Sequence, residues 1–360
     1  MLNRVTFILA AVFALALSAV TGCVKTYDPA QERGNAICFE AGSLLLVDDA
    51  PSSKATLTDD FVDGGTFTVF GERVVSEEKT VVFGGTNGVT VTASDHDSNP
   101  ATPLIWDYSP VRYWYWESTG DWYDFVAVSP AGIGTARMNI SGNIAVSTHY
   151  DVTSQDYDIM GAAYRRRGNV LSPNGTVPLN FSHLGSAVRV KVINSSETTG
   201  VTVDSLRFKN LVVEGDAKLT LDLSGSPEKS WINTERNTAY VRVFKPTPAE
   251  SVTAGNYYGS PFWIMIPQRL DQAAAAGDHV EDMPKLQLYY TPAGSSQQSA
   301  SITLKDVCPR NSDTPISSWA GGTKYTYEIS MRLDGGVLVN ITTTDWGDPI
   351  EAETPGLLIQ

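Results

Sequence analysis

The stretch "AVRVKVI", residues 187–193, alternates Val188, Val190 and Val192 with Arg189 and Lys191. Successive side chains of an extended backbone point to opposite faces, so this period of two reads as a half-buried β-strand. The rhythm returns in "TFTVFG" (66–71), "GVTVTAS" (88–94), "AKLTLDL" (217–223), "YVRVF" (240–244), "KLQLYY" (285–290) and "YTYEISM" (325–331). Each carries the β-branched and aromatic residues that suit a pleated surface. Between them lie the turn signals "DGG" at 63, "GGTNG" at 84, "SPNGT" at 172, "SGSPE" at 224, "PAGSS" at 292 and "LDGG" at 333. Many short strands with frequent turns predict an all-β sandwich. The helix-prone run Ala273 to Ala276 is too short to form more than a turn or two alone.

Upstream of these strands the chain opens differently. Arg4 precedes an almost unbroken apolar run from Val5 to Val20, the layout of a secretory signal. The run falls short of the ~20 residues that a membrane-spanning helix needs. It ends in Val20-Thr21-Gly22-Cys23, which resembles the bacterial lipobox: a branched apolar residue, two small ones and a cysteine that receives lipid. Cleavage between Gly22 and Cys23 with lipid on Cys23 is the expectation; ordinary signal cleavage beside a chance cysteine is the alternative. Acyl chains contribute about 0.8 kcal/mol per buried methylene, so two or more hold a protein on a bilayer without a transmembrane helix.

The length of 360 residues suggests about two domains. With 26 basic against 40 acidic residues the formal charge is −14, which argues against nucleic acid or anionic lipid as partner, since both call for a basic face. Besides Cys23 the chain holds Cys38 and Cys308, which either form a bridge in an oxidising compartment or remain buried thiols. The four histidines, His96, His149, His183 and His279, are scattered and form no metal or catalytic spacing. No GxSxG elbow, P-loop or GxGxxG occurs. "DHDSNP" at 95 opens like a calcium loop, but Pro100 and Trp106 stand where a glycine and a glutamate are needed, so it reads as a plain turn. His183 reads as a satisfied histidine at a strand end. No constellation supports an enzyme, and no cofactor is expected.

Two other features stand out. Around "YRRRGNVLSPNGT", 164–176, polar and turn residues gather into a candidate domain boundary, with Arg165 to Arg167 read as a solvated loop or, alternatively, a protease-sensitive or partner-binding one. The densest aromatic stretch holds Trp106, Tyr108, Tyr113, Trp114, Tyr115, Trp116, Trp122 and Tyr123. Along an extended backbone Tyr113 and Tyr115 face one way and Trp114 and Trp116 the other. Core packing is the default for most of these rings, while Trp114 and Trp116 are candidates for stacking on a glycan.

In chain order, the lipobox, "AICFE" as a first strand, "SKATLTDDF" with "TFTVFG", "WDYSPVRYWYW" leading to "YDFVAVSP", "YDIMGAA", "VPLNFSHLGSAVRVKV", and "WAGGTKYTYEI" with "TTTDWGDP" together resemble the fimbrillins, or type V pilins, of Bacteroides-type bacteria. The resemblance covers most of the chain. It implies two transthyretin-like β-sandwich domains in tandem, 36–173 and 174–360, behind a signal peptide, 1–22, and a lipid-anchored linker, 23–35. It further implies an outer-membrane lipoprotein at the cell surface, cut beyond its first strand by a trypsin-like protease and joined to other fimbrial subunits by strand exchange. The candidate cuts are Lys54-Ala55 and Arg33, and of these only the first frees Ile37 to Phe39. The tail after Trp346 carries Pro349 and Pro355, and because proline cannot donate to a ladder it is a poor donor strand. The expectation is therefore a structural, adhesive fimbrial subunit in a minor, tip or anchor position. The alternative is a surface lipoprotein that binds host or bacterial glycans and does not polymerise. Asp204-Ser205-Leu206 is similar to the O-glycosylation signal of the same bacteria, with Ser205 as acceptor.

Overall fold

The computed structural model describes residues 35–42, 61–62, 64–95, 103–138, 144–155, 157–171, 173–195, 200–244, 250–253, 255–273, 280–310, 312–331 and 337–345. Each stretch with an alternating pattern lies in a strand, and the only described helices are two single 3-10 turns, Val280–Asp282 and Leu304–Asp306. The chain is an all-β protein.

Three large sheets carry the architecture. The first runs in the order Ser182–His183, Met160–Arg167, Trp122–Ser129, Thr66–Val75, Val89–Ser94, Ile105–Asp107, with Glu78–Phe83 also pairing Thr66–Val75. The second runs Gln298–Thr303, Lys285–Pro292, Val201–Leu221, Ile144–Asp151, Thr135–Met138, with Pro227–Phe244 and Glu250–Val252 on Val201–Leu221. The third runs Tyr257–Gly259, Ser186–Asn194, Thr323–Met331, Val337–Asp345, with Trp263–Met265 on Ser186–Asn194. A small parallel pair joins Phe39–Gly42, here the leading strand, to Val177–Asn180.

The valines of "AVRVKVI" show how the alternation builds a core. Val188, Val190 and Val192 are fully buried and face Tyr327 and Ile329 of the neighbouring strand together with Phe208 and Leu288 of the opposed sheet. A separate aromatic core lies on one face of the first sheet, holding Phe67, Phe83, Trp106, Trp114, Tyr123 and Phe125. The other face meets the second sheet through Phe70, Val126 and Val128 against Ile144, Val146 and Leu219. Burial of side chains of this size contributes about 1.5–3 kcal/mol each.

Among the described residues three pairings cross residue 173, the first being Ser182–His183 on the start of Met160–Arg167. Ile144–Asp151 joins the long strand Val201–Leu221 from Glu214 to Thr220, and Val177–Asn180 joins the leading strand. The long strand serves both ends because it is interrupted: its register against Pro227–Phe244 shifts between Leu206 and Phe208, Lys209 and Leu211, and Val212 and Glu214. At the middle shift Asn210 takes a left-handed backbone, φ 61°, and its buried Nδ2 donates to the carbonyls of Glu281 and Met283 at 2.9 and 3.0 Å. Bulges of this kind re-aim a strand while its polar groups stay paired.

The arginine triplet corrects the sequence expectation of a solvated loop. Arg165, Arg166 and Arg167 end the strand Met160–Arg167, and all three are tied down. Arg165 Nε and Nη2 donate to the two carboxylate oxygens of Asp124 at 2.6 and 2.8 Å, and its Nη1 donates to Leu223 O at 2.9 Å. Arg167 donates to Ser224 O at 3.1 Å, and Arg166 donates to Thr176 O. The alternating face of the strand matters less here than the turn 222–226, whose carbonyls receive two of these arginines. That turn is set by Asp222, which the Ser224 hydroxyl and the Ser226 amide hold below the usual carboxylate range. Gly225 is required twice over: its φ is +91°, and a Cβ there would come within 2.8 Å of Arg165 Cδ.

With side chains 6% and 0% exposed, Arg165 and Asp124 form a buried bidentate pair. Removing one partner leaves an uncompensated buried charge, which costs about 3–5 kcal/mol. Asp124→Ala is expected to lower the urea unfolding midpoint by that much stability; a shift within that of surface controls would show the pair to be energetically idle.

Candidate strand-exchange groove

Residues 35–42 are held along both backbone edges. On one side Ile37 N–H donates to Arg112 O at 2.9 Å and Trp114 N–H donates to Asn35 O at 2.8 Å, around an antiparallel bridge between Ala36 and Tyr113. On the other, Val177 N–H donates to Cys38 O at 2.8 Å, and the leading strand runs parallel to Val177–Asn180 with Phe39 opposite Val177. Two side chains add to the grip. Asn35 Nδ2 donates to Trp114 O at 2.7 Å, and the Tyr108 hydroxyl donates to Ile37 O at 2.7 Å.

The side chains follow the same period of two. Ile37 and Phe39 are buried and Ala41 packs against the core, while Glu40 is exposed and Cys38 half-buried. Phe39 sits in an aromatic socket. Its ring centroid lies 5.3 Å from that of Phe83, 5.6 Å from Tyr108, 5.9 Å from Phe125 and 6.1 Å from Phe67, every pair edge to face. Such pairs contribute about 0.5–1.5 kcal/mol each beyond area burial. The socket exists because Gly71 lies opposite both Phe83 and Phe125 in the sheet. A Cβ at Gly71 would stand 3.0 and 3.2 Å from those two rings, so its absence leaves them room.

The other sequence-derived candidates fall in several places. Cys23, Gly22, Arg33, Lys54 and Ala55 lie outside the described residues. Cys308 is a free thiol, so the bridge from Cys38 to Cys308 is not made. The two flank different cores, Cys38 beside Ile37 and Phe39 and Cys308 beside Val307. Ser205 is 3% exposed within Val201–Leu221, opposite Tyr289, and the folded chain has no room there for a sugar. Trp114 is 1% exposed and cannot serve as a glycan platform. Trp116 stacks on it, centroids 5.5 Å apart and planes 14° from parallel, and donates from Nε1 to Asn174 at 2.8 Å. The faces divide as alternation requires, with the tryptophans inward and Tyr113 and Tyr115 outward. His183 is a satisfied buried histidine, its Nδ1 2.6 Å from Asp158 Oδ2.

Tyr108, Arg112 and the strand Val177–Asn180 form the grip, and sequence reading passed over each of them in this role. The signal of Tyr108 and of Val177–Asn180 was an aromatic or apolar content that any core would share, and Arg112, which acts through its backbone carbonyl, gave none.

The family model described as Fimbrillin-like matches residues 53–346, most of the chain. The chain belongs to the Fimbrillin-like family. The matched region starts just past the leading strand, so the family model covers the socket and leaves out the strand that fills it. No curated protein matches. Among solved structures, the fimbrillin-like chain is similar to a candidate cell-adhesion protein from Bacteroides uniformis, at 18% identity and a TM-score of 0.50 over 88% of this chain and 100% of that one. A fimbrial protein from Bacteroides vulgatus matches at 16% identity and a TM-score of 0.48, over 87% of this chain and 99% of that one. The tip fimbrial protein Mfa3 from Porphyromonas gingivalis, with a C-terminal truncation, matches at 12% and 0.42, over 82% and 97%. The first of these likenesses bears on fold alone.

Truncating a buried phenylalanine costs about 3–5 kcal/mol, so Phe39→Ala is expected to destabilise the fimbrillin-like chain by that amount in denaturant unfolding. A loss below about 1 kcal/mol would mean that the socket closes without its ring. Burial, partly offset by the Arg112 backbone, pushes Tyr108 up from 10.0 to about 12. A phenol raised on folding contributes stability that is complete below its unfolded pKa and is lost as pH climbs through the folded one. Stability should therefore fall between pH 10 and about 12 by a component that Tyr108→Phe removes; identical alkaline profiles for the two proteins would refute this.

Proposed function

We propose that this chain is a structural subunit of a fimbrium, carried to the outer membrane by lipid on Cys23 and matured by a cut between Lys54 and Ala55. The leading strand then leaves, and an extended segment of another subunit takes its place. The observation that carries this reading is the double-edged grip on residues 35–42, a discrete strand whose backbone and two side chains complete a core built by the rest of the chain.

The physics is that of strand addition. A vacated groove offers unpaired groups at Arg112, Trp114 and Val177 and empty apolar slots at the positions of Ile37 and Phe39. An incoming strand gains main-chain hydrogen bonds from the first and specificity from the second. A contact between different surfaces on successive copies does not close on itself, so it propagates a filament. Arg33 fits the role of cut site less well, because cleavage there leaves the strand attached to the body. Prolines at 349 and 355 leave the tail a weak donor, which favours a minor, tip or anchor position. Membership of the family supports a fimbrial, surface-borne and non-enzymatic role.

Limited trypsin treatment of the folded chain is expected to yield a body that begins at Ala55 and forms ladders resistant to mild detergent, and Lys54→Ala should suppress both. A native surface form that begins only at Cys23, or a cut body that stays monomeric, would overturn the reading.

A further inference from the structure

The occupant of the groove defines what a replacement must look like. Along residues 35–42 the positions are not equivalent. Position 35 contributes a side-chain amide that donates to Trp114 O while its backbone carbonyl accepts from Trp114 N–H. Position 37 holds a branched aliphatic side chain at 1% exposure, and position 39 an aromatic ring at 4% with aromatic edges or faces on four sides. Position 41 is an alanine packed against the core. Glu40 points into solvent and places no demand on its counterpart. Direction is fixed as well, because the strand is parallel to Val177–Asn180 and antiparallel at Tyr113.

We infer that the groove selects a donor strand reading amide, branched aliphatic, aromatic and small residue at every second position, and that residues 337–360 of a copy of this chain do not supply it. The inference rests on the strand-exchange reading. Residues 337–360 do not fit. "VLVNITTTD", 337–345, alternates Val339, Ile341 and Thr343 and offers no ring. After Trp346 the sequence "GDPIEAETPGLLIQ" contains no aromatic residue, and its closest apolar alternation, Leu357 with Ile359, would set an aliphatic side chain in the socket of Phe39. Trp346 itself is followed two residues later by Asp348, a charge where Ala41 packs, and then by Pro349. An aliphatic group among four rings forfeits the edge-to-face contacts and leaves a cavity.

The test uses the full chain with a specific protease site inserted between residues 43 and 60. Cleavage severs the leading strand covalently and leaves it seated. The nicked protein is exposed to rising sub-denaturing urea until the strand dissociates, and is then returned to buffer with labelled peptides. The peptide spanning 35–42 is expected to re-enter the groove. The same peptide with Phe39→Leu should bind about 10-fold more weakly, and with Phe39→Ala about 100-fold or more. A peptide spanning 337–360 should not enter at matched concentration. Equal uptake of the native, Phe39→Leu and 337–360 peptides would overturn the selectivity while leaving strand exchange intact. Failure of every peptide, with near-ultraviolet dichroism showing the body still folded, would overturn strand exchange and the selectivity together.

Discussion

Phe39, ringed by Phe67, Phe83, Tyr108 and Phe125, is the contact through which the N-terminal core closes. The four rings come from separate parts of the chain, three from adjacent strands of the first sheet and one from the segment that follows Ile105–Asp107. None can fill the space of the fifth, since each is fixed by its own strand and a packed interior tolerates few voids. The missing backbone partner compounds this, because the strand that supplies Phe39 also satisfies the edges of residues 112–114 and Val177–Asn180. One short segment thus completes a core and two open edges at once.

The same segment bears on the far half of the molecule through connectivity. Val177–Asn180 lies directly upstream of Ser182–His183 and Ser186–Asn194, the latter central to the third sheet beside Thr323–Met331. Whatever occupies the groove therefore pairs with the stretch that joins the two ends. The second link is the turn 222–226, pinned by Arg165 and Arg167 and by the buried Arg165–Asp124 pair. The third is the apolar junction of Phe70, Val126 and Val128 with Ile144, Val146 and Leu219. In the proposed filament, a subunit would carry tension from one neighbour to the next. Links of three physical kinds, ladder, ion pair and apolar contact, would spread that load over several elements.

Much of this was legible in the sequence. Alternation gave the strands around Val188, Phe67, Leu219, Leu286 and Tyr327, because burial on one face and solvent on the other write themselves directly into residue type. "AICFE" was legible as a strand only through the resemblance to the fimbrillins. What alternation does not encode is partnership. Nothing in "IAVSTHYD", 144–151, says that it pairs with Glu214 to Thr220 across the expected boundary, and "VPLN" gives no hint that its neighbour is Phe39. The arginine triplet misled for a related reason: three charges beside a turn look solvated until the carboxylate of Asp124 and the carbonyls of Leu223 and Ser224 are brought to them. Trp114 and Trp116 could be assigned to one face from spacing, but whether that face meets a sugar or a core depends on residues far away, and Phe125 and Tyr123 decide it.

The aromatic socket also bears on the order of events in the proposed assembly. An open groove would present Phe67, Phe83, Tyr108 and Phe125 beside unpaired strand edges, the combination most prone to indiscriminate pairing. A strand that belongs to the same chain as its groove is an intramolecular partner, whose effective concentration exceeds that of any dilute donor. Severing the chain does not by itself empty the groove, since burial of Ile37 and Phe39 at about 1.5–3 kcal/mol each still holds the strand. Release then depends on a donor that contributes the same ring and the same hydrogen bonds in a longer or better-paired segment. In the proposed assembly the aromatic pocket would thus act in both directions, keeping the subunit closed beforehand and discriminating among the strands that open it.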